Sequence, residues 1–438
     1  MTGRLLLRLL ALGAGALSCS HPSSTTPVQP PRPAAAIDAC ALSTDSAPNP
    51  DTLIIALSGG VDPAHAPAPM TDAERMAFRQ LYETLVRLDC TGAPQPALAE
   101  SWTSGESGRR WSFTLRSDAR FWDGTPVTAR DVIASWTAGD SALLPGASFE
   151  APDDHTLVVR LATESSALPP QLADPGLSVT RPAPDQSWPT GSGAYRADTS
   201  AGRVLLSPVF GLRRPVIVLR PLGPADARDW LDRGVDVLVT DDAATLSYAA
   251  NRPELATRPL PWDRTYILLA RGSALVVTAA WREGLARDAV HVDARPAEAP
   301  AWWTAFPACV GPPPDGAVPS RMSRPLIVYP RDDATGRDLA GRLVALEGES
   351  GGPTVRVAGL APGELAAALA SGQSAQFVIS MPRDVPGACR AVRQLVARAP
   401  WLSLATQIVP LVDTRRQVVW RRGAAAFTVD WDATLRAR

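Results

Sequence analysis

The chain has 438 residues, which is long enough for two or three domains with hydrophobic cores of their own. Its formal net charge of -1 gives no electrostatic reason to expect nucleic acid or an anionic membrane surface as a partner. The sequence contains no lysine, so all 43 residues counted as lysine or arginine are arginines. An isolated arginine is therefore weak evidence for a binding site in this protein.

Residues 1–19 have the features of an export signal, with two arginines before the apolar run Leu9–Leu17. This run is too short to span a bilayer. The four residues ALSC that end at Cys19 resemble a lipobox, in which the cysteine is acylated after cleavage, although Ala16 stands where such signals usually carry leucine. We expect a lipid anchor at Cys19. An ordinary secreted signal and an uncleaved anchor are the alternatives.

Residues 20–50 are rich in Pro, Ser, Thr and Ala and nearly free of large apolar side chains, which predicts a flexible tether. Four cysteines remain after Cys19, and an even number in an exported chain favours two disulfides over four free thiols. Of three possible pairings, we favour those that close within one half of the chain. These are Cys40–Cys90 and Cys309–Cys389.

The first predicted elements of the folded part are a strand and a helix. The apolar run Asp51–Leu57 predicts a strand. Thr71 and Glu74 have the spacing of a capping box, and apolar residues follow at helical intervals. The sequence therefore predicts an amphipathic helix from Asp72 to roughly Leu85.

The stretch Ala97–Trp136 carries the strongest local pattern. Trp111–Arg116 alternates apolar and polar residues and predicts a half-buried strand. Asp123 and Gly124 predict a turn. Thr128 and Asp131 have capping-box spacing, so a helix should begin near Ala129.

Later segments alternate between strand and helix patterns, which predicts α/β layers. Two glycines in the run Gly191–Tyr195 allow backbone geometry closed to other residues. The predicted strands of this part are 154–161, 202–207, 216–220, 235–239, 265–270, 325–329, 354–357 and 376–380; the predicted helices are 226–233, 336–346 and 362–369.

The pattern ALAESW followed by WSFTLRSDARFWDGTPVTARDV resembles the signature region of the family 5 extracytoplasmic solute-binding proteins, the oligopeptide and dipeptide receptors of ABC importers. The runs YETL and GSGAY resemble further elements of this family. The resemblance implies an α/β fold of two lobes with an inserted subdomain. It assigns residues 51–78, 190–266 and 405–438 to lobe Ia, 79–189 to the inserted subdomain Ib, and 267–404 to a shortened lobe II.

The resemblance implies a receptor of an ABC importer, monomeric and anchored at the cell envelope, that binds a peptide-like or small polar solute without a cofactor. The alternative is a diverged lipoprotein of the same fold with a sensing, envelope-interaction or chaperone role and no transport. The chain has no HExxH, GxSxG or P-loop motif and no Cys/His cluster, so nothing in it favours a hydrolase or a metal site.

The candidate ligand-binding residues are mainly aromatic, because a large rigid ring suits a cleft that closes on a mixed polar and apolar solute. An arginine would suit a free carboxylate. Asp384 is the one acidic residue in the region where the peptide-binding relatives bind the ligand's amino terminus, although its context differs. The candidates are Tyr82, Trp122, Tyr195, Trp262, Tyr266, Trp302, Trp303, Arg383, Asp384 and Trp401.

The lipobox leads to a direct test. Replacement of Cys19 by serine removes the thiol that carries the lipid, so the Cys19→Ser protein should leave the membrane fraction and appear in the soluble envelope fraction. Cell fractionation with immunoblotting measures this. Unchanged membrane attachment of the variant would exclude a lipid anchor at this residue.

Overall fold

The computed structural model describes most of the chain, and the description below is limited to these residues. None of the helices in this part combines the length and the apolar character that crossing a bilayer requires. The described residues are 26–28, 41–42, 51–88, 93–138, 144, 146–165, 168–183, 186–200, 203–209, 214–223, 225–260, 262–270, 277–298, 306, 326–349, 355–372, 376–383, 388–403, 407–424 and 436–437.

A seven-stranded mixed sheet forms the centre of the first lobe. Its strand Thr52–Leu57 lies between two parallel neighbours, which explains why its residues Leu53 to Leu57 form a continuous apolar run rather than an alternating one. Helices Ala227–Asp232 and Ala243–Ala250 belong to this lobe. In spatial order the strands are Tyr195–Ser200, Arg203–Pro208, Val216–Pro221, Thr52–Leu57, Val237–Thr240, Gln417–Arg421 and Leu255–Pro259.

The first helix of this lobe spans Asp72–Leu81 and begins at the predicted capping box. The Thr71 hydroxyl accepts from the Glu74 amide, and the Glu74 carboxylate accepts from the Thr71 amide. The helix ends four residues earlier than predicted, because Tyr82 is extended. Leu85 then packs in the core of the inserted subdomain instead of continuing the helix.

The inserted subdomain contains the signature stretch. Trp111, Phe113 and Leu115 are buried in its core, as the alternation of strand Arg110–Leu115 predicts. Helix Ala129–Ala138 begins at the predicted position, and its Trp136 donates to the carbonyl of Leu177. The five-stranded sheet is ordered Thr26–Val28, Ala99–Gly105, Arg110–Leu115, Thr156–Arg160 and Ser148–Glu150, with a separate hairpin of Val86–Leu88 and Pro94–Pro96 beside it.

A six-stranded sheet forms the second lobe and is covered on its two faces by two hydrophobic clusters. Its helices are Ala279–Asp288, Ala334–Glu349, Pro362–Ser371 and Ala388–Arg398. In spatial order its strands are Asp293–Pro296, Ile408–Arg415, Arg264–Ala270, Gln376–Pro382, Leu326–Pro330 and Arg356–Leu360.

The chain crosses between the two lobes twice, and both crossings differ from the boundaries expected from the sequence. Strand Arg264–Ala270 already belongs to the six-stranded sheet, three residues before the expected boundary at residue 267. Strand Ile408–Arg415 was assigned to the first lobe but pairs on both sides within the second-lobe sheet. The chain re-enters the seven-stranded sheet only at Gln417.

The expected tether lies mostly outside the described residues, as do residues 1–19. Two short strands fall within it: Thr26–Val28 pairs with the strand Ala99–Gly105, and Ala41–Leu42 pairs with Arg436–Ala437. Backbone pairing at a sheet edge does not need apolar side chains, so composition alone did not indicate it. The predicted disulfides are untested, because the side chain of Cys389 and all atoms of the other cysteines lie outside the described residues.

The glycines of the GSGAY run allow two chain segments to touch. A Cβ atom at Gly191 would lie 2.2 Å from the Leu81 carbonyl oxygen, and one at Gly193 would lie 2.5 Å from the Gln80 carbonyl oxygen. The Gly193 amide donates to the Leu81 carbonyl at 2.9 Å. These glycines therefore join the end of the first helix to the strand that begins at Tyr195.

This contact predicts the effect of adding one methyl group. Gly191→Ala should destabilise the protein by about 1–3 kcal/mol, because a backbone carbonyl cannot move aside as a flexible side chain can. Gly341→Ala is the matched control, since its Cβ meets nothing within 4 Å inside helix Ala334–Glu349. The Gly341→Ala protein should be more stable than wild type by about 0.5–1 kcal/mol in urea unfolding, because alanine is favoured over glycine inside a helix. Equal effects of the two substitutions would contradict the close approach.

A histidine supports the start of the helix Asp72–Leu81. His65 Nδ1 lies 2.7 Å from Oε1 of Glu74, whose side chain is only 2% exposed. The hydrogen bond to Glu74 raises the pKa of His65 above its ordinary value of 6.5. A raised pKa in the folded state means that protonated His65 stabilises the fold fully below pH 6.5, and that this contribution is lost as the pH rises through the folded pKa.

The expected result is a pH-dependent difference between wild type and His65→Gln. Wild type should have the larger advantage in melting temperature at about pH 5.5 and a reduced one at about pH 8.5. Titration of the His65 imidazole by NMR should give a pKa above 6.5 that falls in Glu74→Gln, which retains the capping geometry. An unchanged titration in Glu74→Gln would show that this pair does not set the pKa.

Candidate functional site

A cleft of about 410 Å³ lies between the two lobes. Its walls come from the first lobe, from both crossings of the chain and from the second lobe. An adjoining recess of about 20 Å³ is formed by more apolar residues, including Met76, Val239 and Leu260. The cleft is lined by Ser58, Gly59, Met70, Thr71, Asp72, Ala73 and Arg75 of the first lobe, by Asp263, Arg264 and Arg416 at the crossings, and by Ser380, Met381 and Pro382 of the second lobe.

The first-lobe wall of the cleft is formed where one strand ends and one helix begins. Ser58 and Gly59 follow the central strand Thr52–Leu57, and Asp72 is the first residue of the helix whose cap is described above. Ligands of open α/β sheets bind beside the carboxyl ends of the strands, where the chain has no further sheet to form. The cleft lies at such an edge of the seven-stranded sheet.

The floor of the cleft is made by the two crossings. Arg416 binds the Asp263 carboxylate through Nε at 2.8 Å and Nη2 at 2.6 Å. Arg264 donates from Nη2 to Oδ2 of Asp72, and the Arg416 Nη1 lies 3.5 Å from the same oxygen. One first-lobe carboxylate therefore holds a guanidinium from each crossing.

The electrostatics of the floor follow from partial burial. Burial lowers the pKa of the Arg264 guanidinium, and the neighbouring positive charge of Arg416 lowers it further. Burial also raises the pKa of the Tyr266 hydroxyl well above its ordinary value, and the adjacent Asp333 adds to this effect. Tyr266 therefore stays neutral and donates to Asp333 Oδ1 at 2.9 Å.

Three of the predicted aromatic ligand contacts lie together, but in the first-lobe core. Tyr82 is 4% exposed and stacks on Trp122 with ring centroids 5.8 Å apart. Tyr195 is fully buried in the same hydrophobic core as Tyr82, and the partly buried Trp122 packs against this core. The GSGAY contact brings this group together, because Trp122 donates its amide to the carbonyl of Gly191.

The remaining described candidates have structural partners in the second lobe. The Trp262 ring contacts the guanidinium groups of Arg295 and Arg415, whose central carbons lie 4.7 and 4.4 Å from the ring centroid. Tyr266 is 6% exposed and bonded to Asp333, as described above. The Trp401 indole donates to the carbonyl of Leu369 at 2.6 Å.

Arg383 is buried beside the floor rather than in the cleft lining. Its Nη1 donates to Asp413 Oδ2 at 2.6 Å and to the Glu298 carbonyl at 3.0 Å. Asp413 is fully buried and also accepts from the Thr265 hydroxyl at 2.8 Å. Trp302, Trp303 and Asp384 lie outside the described residues.

None of the seven described candidates is among the residues that line the cleft, and no described lining residue is aromatic. Ligand contact by these candidates stays a prediction. The sequence analysis did not single out Asp72, Asp263, Arg264 or Arg416 as site residues. Asp263 and Arg264 directly precede a predicted strand at the first crossing, which is the one signal that pointed to them.

The described residues contain no group of three or more His, Cys, Asp or Glu side chains arranged to hold a metal ion. The chemistry of the described cleft is therefore that of guanidinium, carboxylate and hydroxyl groups. Such groups can bind a polar, charged solute by hydrogen bonds and ion pairs.

Comparison with known proteins agrees with this architecture. Residues 93–203 match the family described as bacterial extracellular solute-binding proteins, family 5 middle. The periplasmic oligopeptide-binding protein OppA of Escherichia coli is 36% identical over 110 residues, covering 19% of this chain and 20% of that protein. The nickel-binding periplasmic protein of E. coli is 36% identical over 103 residues, covering 24% of this chain. The matches thus span about a fifth of these relatives' length.

The fold similarity extends much further than the sequence match. The structure of the murein tripeptide binding protein MppA of E. coli superposes with a TM-score of 0.61 at 16% identity, covering 89% of this chain and 98% of that one. The two proteins thus share the same overall fold. Residues 93–203 thus match the family 5 extracellular solute-binding proteins, and the fold of the chain is that of two-lobed binding proteins of this family, as the sequence analysis expected.

Proposed function

We propose that the protein is the solute-binding receptor of an ABC importer, anchored outside the cytoplasm through a lipid on Cys19. It binds a small polar, peptide-like solute in the cleft between its lobes. The names of its relatives support this class of ligand, since one binds oligopeptides and another binds a murein tripeptide. The proposal also keeps the division into lobe Ia, subdomain Ib and lobe II, with crossings near residues 260–264 and 415–417.

The observation that carries the proposal is the composition of the cleft walls. Ser58 and Asp72 face the cleft from one lobe, Ser380 from the other, and Arg416 from a crossing. A solute held between such walls contacts both lobes at once and so favours the closed arrangement. Binding and closure need no bond breaking, and the two crossings are the segments about which the lobes can rotate.

The proposal predicts that a solute stabilises the protein. At least one member of a panel of amino acids, short peptides, sugars and metal chelates should raise the melting temperature in a saturable way, by about 2.7 kcal/mol of stability at one hundred times its dissociation constant. Differential scanning fluorimetry measures the effect, and native mass spectrometry of the purified protein identifies a solute that co-purifies.

Matched tryptophan variants locate the binding. Ser58→Trp places a large side chain in the cleft and should abolish the stabilisation, whereas Ser148→Trp, on an exposed position of the subdomain sheet, should leave it intact. Loss of the effect in both variants, or in neither, would contradict binding in the cleft. Absence of stabilisation by any solute would favour the alternative of a receptor-fold lipoprotein without transport, and product formation would favour an enzyme.

A further inference from the structure

The lining of the cleft contains more basic than acidic side chains. Three arginines and two aspartates line it, and Arg416 holds Asp263 through two contacts, both of them to Oδ2. The remaining carboxylate, Asp72, binds Arg264, lies 3.5 Å from Arg416 and lies 4.0 Å from Arg75. One carboxylate group thus serves three guanidinium groups.

The two crossing arginines converge on a single oxygen atom. Nη2 of Arg264 and Nη1 of Arg416 both face Oδ2 of Asp72. Their side chains are 29% and 14% exposed, so solvent screens their mutual repulsion only in part. An anion at the position of this oxygen atom is what holds the two positive charges together.

Other charged and polar groups near the arginines are weaker or already engaged. Asp241 lies 3.9 Å from Arg264 and is 46% exposed. Asp333 accepts from Tyr266 and from the Gly336 amide at 2.8 Å. Before and within the first turn of the helix Asp72–Leu81, the Glu74 carboxylate accepts from the Met70 and Thr71 amides, and the Thr71 hydroxyl accepts from the Glu74 amide. The charged groups that face Oδ2 of Asp72 are the two guanidinium groups, which makes them the anion-binding element.

The dimensions and surface of the cleft limit the rest of the solute. Its volume of about 410 Å³ lies in the range of about 300–1,000 Å³ that is typical of small-molecule pockets, which suits a small solute. Its described lining is polar or small, apart from Met70, Met381 and Pro382. A hydrophilic solute fits this surface better than an aromatic one.

We infer that Arg264 and Arg416 form the binding seat for a carboxylate group of the solute. The Asp72 carboxylate occupies this seat until the solute carboxylate displaces it. The solute class is then a small hydrophilic carboxylate, such as an amino acid or a dipeptide with a free carboxyl terminus. A carboxylate offers two oxygens to paired guanidinium donors in short, charge-assisted hydrogen bonds. The inference rests on the proposed function for the physiological solute, but the seat itself can be tested without one.

Chemical rescue tests the seat. Asp72→Ala removes the internal carboxylate and should lower the melting temperature, and sodium acetate should restore at least half of this loss. Sodium chloride at the same ionic strength of about 0.1 M should not. Asp226→Ala is the control: it removes an exposed aspartate that caps a helix and binds Arg228 in the first lobe, outside the cleft lining, so acetate and chloride should act on it alike.

A second variant keeps the test valid if the alanine protein does not fold. Asp72→Asn preserves the shape of the side chain and removes its charge, so it should bind acetate at least several-fold more tightly than wild type in a calorimetric or NMR titration. Acetate acting no better than chloride on both Asp72 variants would overturn the carboxylate seat. The same holds if Asp72→Asn binds acetate no better than wild type.

The outcomes separate this inference from the proposed function. Acetate rescue together with no stabilising solute in the wild-type panel would overturn the receptor role and leave the carboxylate seat in place. Cleft-dependent binding of a neutral or purely cationic solute, without acetate rescue, would support the receptor role and overturn the carboxylate inference. Amidation of the carboxyl terminus of a bound peptide should weaken its binding at least tenfold.

Discussion

The Arg416–Asp263 ion pair lies where the two connections between the lobes pass side by side. Each connection is short: the chain leaves the seven-stranded sheet at Pro259 and enters the six-stranded sheet at Arg264, and it returns between Arg415 and Gln417. The Leu260 amide also donates to the Arg416 carbonyl at 2.9 Å. These bonds fix the two connections to each other, so the lobes share one hinge and the cleft has one floor.

A buried polar network supports the second-lobe side of this hinge. Asp413 is fully buried on the strand that leads to the second crossing, and it binds Thr265 on the strand that follows the first crossing. Arg383 and Arg295 supply the positive charges that a buried carboxylate needs. The network joins three adjacent strands behind the cleft, including the strand that begins at Arg264. Removal of one partner would leave a buried charge unpaired, so the network acts as a unit.

Sequence patterns predicted the local structure well because their causes are local. The capping groups of Thr71 and Thr128 lie within three residues of their partners, and the helices begin there. The alternation from Trp111 to Leu115 buries every second side chain in the subdomain core. The signature stretch therefore carries the family match, although it belongs to the subdomain and contributes none of the described residues that line the cleft.

The cleft could not be predicted in the same way, because it joins residues that lie far apart in the chain. Asp72, Asp263 and Arg416 meet only through the two crossings, and Arg416 is one of 43 basic residues with no local pattern to distinguish it. The aromatic candidates were chosen for their chemistry, but Tyr195 fills the first-lobe core and Trp262 stacks with two arginines. Composition indicated which residue types can bind a solute, whereas topology determines which of them reach it.

The central claim is that the cleft between the lobes, above the paired crossings, is where the protein binds its solute. Hydrogen exchange with mass spectrometry, with and without a stabilising solute, tests this claim most directly. Our account predicts new protection at residues 58–75 of the first lobe and 376–383 of the second, with little change at residues 99–160 of the subdomain. Protection confined to the subdomain, or to one lobe alone, would contradict it.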